Sequence, residues 1–271
     1  MISATSTEKQ LKSISQRAQA IKPSGIRKFF DLLSSIEGVI SLGVGEPDYA
    51  TPWRMREVAI KSLEQGKTMY TSNLGTPELR QAISGYLNKA YGLSYDPKTE
   101  ILITVGVSEG MDLSMRAILD PGDEVIIPAP CYVAYPAVVS LAGGAPVVVP
   151  TTAEHSFEIE PSDIEENITE KTRAVFIGYP ANPTGAVMPR SKLMGIAELA
   201  ERHNLVVVSD EIYARLSYGD PHTCFASLPG MRDHTILLGG FSKAYAMTGW
   251  RIGYAAGPHE FIAAMTKIHQ Y

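Results

Sequence analysis

Lys243 is the only charged side chain between Thr235 and Trp250, in the run Gly239-Gly240-Phe241-Ser242-Lys243-Ala244-Tyr245-Ala246-Met247-Thr248-Gly249-Trp250-Arg251. An ammonium in apolar surroundings loses basicity, and the neutral amine is a nucleophile towards aldehydes. Taken alone, such a lysine is more readily one that snorkels out of a loop after a strand. Its company changes that balance. Arg251 follows eight residues later beside a short apolar run. A guanidinium there suits bidentate binding of a phosphate, or equally a structural ion pair. Asp210 and Tyr213 end the run Val206-Val207-Val208-Ser209-Asp210-Glu211-Ile212-Tyr213. Carboxyl ends of strands in α/β sheets face the ligand crevice, where a poorly solvated acid can hold a protonated ring nitrogen. A solvated acid or a helix cap is the plainer alternative. Asn182 sits in the tight turn Gly178-Tyr179-Pro180-Ala181-Asn182-Pro183-Thr184-Gly185 and offers an amide to the same crevice, or simply makes the turn. Gly106-Val107-Ser108-Glu109-Gly110 leads from a strand into a helix. Backbone N–H groups at such a junction bind phosphate without basic side chains, although the junction itself is common.

These residues need a frame. Short apolar, β-branched runs recur at Ile101–Val105, Val125–Ile127, Val147–Val149, Ala174–Ile177, Leu205–Val208, Thr235–Leu238 and Ile252–Ala256. They do not alternate with polar residues, which predicts strands buried on both faces. Helical spacing appears over Thr76–Tyr91, Ser108–Leu119, Ser191–His203 and from Pro258 onward. The β–α–β order with short connections predicts an α/β domain with a mostly parallel seven-stranded sheet flanked by helices. Residues 1–50 lack strong strand signals and read as an N-terminal arm and small-domain segment; residues 51–271 read as the large domain. The uncharged stretch Val125–Ala153 is long enough to span a membrane, but its five prolines and Gly143-Gly144 break any continuous helix.

Composition narrows the class. Lys plus Arg is 24 and Asp plus Glu is 29, a net charge of −5 over 271 residues. That argues against a general nucleic-acid or anionic-membrane binder. The two cysteines, Cys131 and Cys224, form no CxxC and fit a reducing cytoplasm. The six histidines show no metal-ligand spacing, and no metal is expected. The polar N-terminus lacks an apolar signal region. The final helix pattern stops without a capping residue, which is expected of a fragment of something longer.

Asn182-Pro183-Thr184-Gly185, Ser209-Asp210-Glu211-Ile212-Tyr213 and Ser242-Lys243 with Gly249-Trp250-Arg251, in this order and spacing, resemble class I/II aminotransferases, pyridoxal-phosphate enzymes of fold type I. Gly43-Val44-Gly45-Glu46-Pro47-Asp48 and Tyr70 with Gly75-Thr76-Pro77-Glu78-Leu79-Arg80 match as well, closest to the aspartate/aromatic branch. The resemblance runs from about residue 15 to the end. It implies the large domain of a fold type I enzyme with an incomplete small domain. It implies a ping-pong, Schiff-base transfer of an amino group between an L-amino acid and a 2-oxo acid. Lys243 would carry pyridoxal 5'-phosphate (PLP) and shuttle the proton, and Asp210 would pair with the pyridine nitrogen. Tyr213 and Asn182 would hydrogen-bond the phenolic oxygen, and Tyr132 would stack on the ring. Val107 and Ser108 amides and the Arg251 guanidinium would hold the phosphate. Tyr70 would reach the phosphate of the other subunit of a homodimer. Gly45, with Tyr132 and Asn182, would face the substrate.

Two departures stand out. Gly240 occupies the position, three residues before the lysine, where many relatives have a phosphate-binding serine, and Ser242 is expected to compensate in part. The arginine that clamps the substrate carboxylate in the family has no candidate here. Two rivals share the cofactor: a lyase or synthase on the same scaffold, and a non-catalytic PLP-binding module. The second is disfavoured because the first 40 residues are short and weakly basic for a DNA-binding domain. A nucleotide-binding enzyme fails on spacing. Gly43-Val44-Gly45 lacks a third glycine, and Gly66-Lys67-Thr68 has Lys61 where a P-loop needs its first glycine.

Overall fold

The structure, a computed structural model, describes residues 14–21, 45–219 and 221–271. Among these residues seven strands form one sheet: β1 (Ile101–Thr104), β2 (Glu124–Ala129), β3 (Ala145–Pro150), β4 (Thr172–Ile177), β5 (Val206–Asp210), β6 (Thr235–Gly240) and β7 (Gly253–Ala256). Their order across the sheet is β1-β7-β6-β5-β4-β2-β3. β7 runs antiparallel to both its neighbours, and the other adjacent pairs are parallel. The expected mostly parallel α/β sheet is what forms.

The helices are α1 (Gln16–Ala20), α2 (Trp53–Glu64), α3 (Pro77–Tyr91), α4 (Gly106–Ile118), α5 (Ala134–Ala142), α6 (Pro161–Glu165), α7 (Arg190–Arg202) and α8 (His259–His269). The valine run of β5 shows why the strands are apolar throughout. Val206 and Val208 pack with Met111 and Met115 of α4 and Met265 of α8. Val207, pointing the other way, packs with Leu193 and Ile196 of α7. Farther along that second face, Leu237 of β6 meets Ile83 and Leu87 of α3. A strand with helices on both sides needs apolar side chains at every position, and β-branched ones fill a pleated surface well.

β3 departs from the expected two-sided burial. Only Val149 is buried, and Val148 is 49% exposed. It is the edge strand beyond β2, and Pro146 and Pro150 remove N–H groups from it, as edge strands tolerate. The helix α2 is not visible in the sequence reading. It buries none of its own residues, and Trp53, Val58, Ile60 and Leu63 are exposed. Most of the expected 1–50 segment, residues 1–13 and 22–44, lies outside the described residues, including Gly43 and Val44.

The topology sets up one functional rim. β1, β2, β4, β5 and β6 point the same way, so their carboxyl ends share an edge. β7 runs the opposite way, so its start reaches that edge too. The connection from β6 to β7 therefore carries Lys243 and Arg251 along the rim.

Candidate active site

Nine of the residues singled out from the sequence line one cavity of about 270 Å³ at this rim: Val107, Ser108, Tyr132, Asn182, Asp210, Tyr213, Ser242, Lys243 and Arg251. Val107 and Ser108 follow β1, Tyr132 follows β2, Asn182 follows β4, Asp210 ends β5, and Lys243 follows β6. Residues up to 144 apart in sequence meet because strand ends meet.

Asp210 is the buried acid. The Tyr135 hydroxyl donates to its Oδ2 at 2.9 Å, and the Ile212 N–H donates to Oδ1 at 3.1 Å. Burial pushes its carboxyl up to about 6; the two hydrogen bonds pull the other way, and the neighbouring Glu211 adds to the rise. Tyr135 is held in place from several sides. Its ring stacks on Phe176 with centroids 4.2 Å apart and meets Tyr132 edge-on at 5.8 Å. A Cβ on Gly178 would lie 2.3 Å from the Tyr135 hydroxyl oxygen, so glycine is required there for that approach.

Lys243 is half-buried. Its Nζ donates to the Gly45 carbonyl and lies 5.6 Å from the centroid of the Tyr213 ring. Burial lowers its pKa, opposed by the Glu46 carboxylate. Burial also raises the Tyr213 phenol, helped by Asp210 and Tyr132 and opposed by the Asn182 amide beside it. A less basic amine thus faces a cavity that also holds a buried acid.

The third group is an anion-binding arrangement. α4 begins at Gly106, two residues before the expected Ser108, which puts the Gly106, Val107 and Ser108 amides in its first turn. No side chain caps these amides. Glu109 instead turns back to accept from the Val105 N–H at 2.6 Å, and its other oxygen pairs with His269 Nδ1 at 3.0 Å. Arg251 lies against this helix start. A Cβ on Gly106 (φ +70°) would sit 2.4 Å from Arg251 Nη2, so the missing side chain is what admits the guanidinium. N–H dipoles and a fixed cation together suit a phosphate.

Gly240 has a steric basis. A Cβ there would meet Ile212 Cδ1 at 3.0 Å, Val107 Cγ2 at 3.1 Å and the Ile252 carbonyl at 3.3 Å, so a serine would force its neighbours to give. Tyr70 is fully exposed and does not line the cavity of its own chain. Gly45 touches the site through its carbonyl. Sequence reasoning missed Tyr135, Met111, Ile212, Glu46 and Thr248, which also line the cavity. Tyr135 stood three residues after Tyr132, but nothing local placed it beside Asp210, 75 residues on. No helix among the described residues is long and apolar enough to cross a membrane.

The sequence matches the family model "Aminotransferase class I and II" over residues 37–271. A Bacillus subtilis protein named as an aminotransferase is 55% identical over 258 residues, covering 95% of this chain and 67% of that protein. The aromatic-amino-acid aminotransferase 2 of Thermococcus litoralis is 44% identical over 260 residues, covering 96% and 67%. Among solved structures, the aspartate aminotransferase of Thermus thermophilus with maleate superposes with a TM-score of 0.91 at 41% identity, covering 96% of this chain and 68% of that one. The chain therefore spans about two thirds of the length of these relatives.

Proposed function

We infer the activity of this chain from the family to which it belongs, the class I and II aminotransferases: it is a transaminase that uses PLP to move an amino group between an L-amino acid and a 2-oxo acid. One observation carries the reading. A single cavity holds a half-buried lysine amine, a fully buried carboxylate and an anion site built from helix amides and a guanidinium.

The residues fit the cofactor by chemistry and by order along the rim. The phosphate donors Val107, Ser108 and Arg251 lie by β1 and β7, Lys243 follows β6, and Asp210 ends β5. When bound, PLP supplies an electron sink that stabilises negative charge at the α-carbon of the amino acid. The protein supplies the rest. Asp210, as a carboxylate, keeps a proton on the ring nitrogen; a cation beside it offsets the burial that raises its pKa. Asn182 and Tyr213 donate to the phenolic oxygen, and Tyr132 stacks on the ring. Ser242 adds a hydroxyl at the phosphate end. Lys243, less basic than a free lysine, would bind the aldehyde carbon between turnovers and, when displaced, would carry the proton from the substrate α-carbon to the carbon that bore the aldehyde. Gly45, Tyr132 and Asn182 face the substrate. An amino acid and an oxo acid use the site in alternation.

The active unit in this reading is a homodimer in which Tyr70 of each copy reaches the phosphate site of the other. Its full exposure and the exposed apolar residues of α2 support that arrangement. Residues 1–50 serve as arm and small-domain segment, residues 51–271 as the PLP-binding large domain, and the protein works in the cytoplasm.

The test is covalent. Adding PLP, reducing with borohydride and mapping peptides by mass should place the adduct on Lys243. Lys243→Ala should bring transamination down to background. An adduct on another residue, or undiminished turnover in that variant, would sink the reading.

A further inference from the structure

We propose that Thr51 is a positioning residue: its hydroxyl clasps the connection between β6 and β7 and thereby sets the Arg251 guanidinium against the start of α4. The inference rests on the reading of Arg251 as the phosphate anchor.

That connection contains two non-glycine residues with left-handed backbone, Ala246 (φ +50°) and Arg251 (φ +54°). An L side chain in that region meets the backbone carbonyl, so each position must be held by its surroundings. Thr51, 195 residues from Ala246 in sequence and only 6% exposed, touches the first of these and the residue just before the second. Its Oγ1 donates to the Ala246 carbonyl and accepts from Trp250 Nε1 at 3.0 Å. One hydroxyl thus uses both its donor and its acceptor capacity, on the first left-handed residue and on the neighbour of the second.

Arg251 needs this help. The hydrogen bond of its guanidinium to protein is from Nη1 to the Thr248 carbonyl at 3.1 Å, within its own connection. Gly106, close beside it, presents no side chain to grip it. The rest of the connection is bonded mainly to itself, with Met247 N–H donating to the Ser242 carbonyl and Trp250 N–H to the Met247 carbonyl. Contacts to the other end of the chain come from Lys243 to the Gly45 carbonyl, from Thr248 to Glu46 at 3.0 Å, and from Thr51. Of these three, Thr51 is the buried one, and it grips on the arginine side. The guanidinium keeps its place only as long as the connection does.

The experiment compares PLP with pyridoxal, the same aldehyde without its phosphate. Affinities of the full chain for both are measured by absorbance titration for the parent, Thr51→Val, Thr51→Ser, Trp250→Phe and Arg251→Ala. Thr51→Val keeps the shape and leaves the Ala246 carbonyl and the Trp250 N–H without a partner. It should weaken PLP about tenfold or more while changing pyridoxal by less than about twofold. Thr51→Ser should stay within about twofold of the parent for both, because it restores the hydroxyl. Trp250→Phe, which removes only the indole N–H, should shift PLP in the same direction by a smaller factor, and it decides the matter if Thr51→Val does not fold. Equal weakening of PLP and pyridoxal, or no change in either, would overturn the clasp. Arg251→Ala separates the two layers. If it erases the preference for PLP while the Thr51 and Trp250 variants keep it, the clasp alone fails. If it too keeps the preference, the phosphate assignment fails and takes the clasp with it.

Discussion

Two carboxylates stand side by side at the end of β5 and meet opposite fates. Asp210 faces the rim cavity, with one donor on each oxygen and room left for a ligand. Glu211 faces away from it and makes three contacts with protein. Its Oε1 accepts from the Ser209 hydroxyl at 2.8 Å and from the Phe225 N–H at 3.1 Å, and its Oε2 meets His222 Nε2. Both side chains of that His–Glu pair are under a tenth exposed. Burial alone therefore does not mark a functional acid. What distinguishes Asp210 is spare acceptor capacity directed at a cavity, while Glu211 spends its capacity closing the loop from 211 to 225.

Three experiments test that contrast. Asp210→Ala should cost the PLP-loaded chain about a thousandfold or more in transamination, roughly 4 kcal/mol in the barrier, because Asp210 is the buried carboxylate that would keep the ring nitrogen protonated. Undiminished α-proton exchange from a labelled amino acid would contradict the role given to it. Glu211→Ala should show the reverse pattern. It strands the His222 ring, the Phe225 N–H and the Ser209 hydroxyl in the interior, and should lower the unfolding free energy by about 3–5 kcal/mol in urea titrations. Turnover per folded molecule should change far less than in Asp210→Ala; a variant as stable as the parent but inactive would break the contrast.

The smallest effect is a pH dependence. The Asp210 carboxyl is raised from 3.8 to about 6 in the folded, cofactor-free chain. Between those values the folded state binds more protons than the unfolded one, so stability falls as pH rises from about 4 to about 6. The contribution is on the order of 2–3 kcal/mol. It is read as the difference between the parent and Asp210→Asn in urea titrations across that window. Tyr135→Phe removes a hydrogen bond that holds the carboxyl down, so its decline should extend to higher pH. A difference that grows with pH instead would mean the acid is stabilised in its charged form.

Much of this was legible in the chain itself. The seven strands announced themselves because strands enclosed by helices must be apolar at every position, as Val206, Val207 and Val208 are. Lys243 stood out because a lone charge in a long apolar run has few structural uses. Legibility failed where the cause lies outside the segment. Nothing in Ala145–Pro150 says that no strand pairs beyond it, so the exposure of β3 was missed. Nothing near Tyr135 points to Asp210, and nothing near Thr51 points to Ala246. Such contacts are decided by which strand ends meet, a property of topology and not of local pattern. The helix α2 escaped for a related reason: its apolar residues face no buried core among the described residues, so their pattern answers to no packing within the chain.

The reversal of β7 has a consequence for how this molecule can change. Because β6 and β7 are neighbours joined by a direct return, the amine and the guanidinium ride on one connection, residues 241–252. A deletion that shortens this connection would drag both away from the rim at once, whereas the acid on β5 and the amides after β1 would stay in place. Engineering that seeks to retune the lysine while sparing the arginine is therefore better aimed at the walls around the connection than at its length.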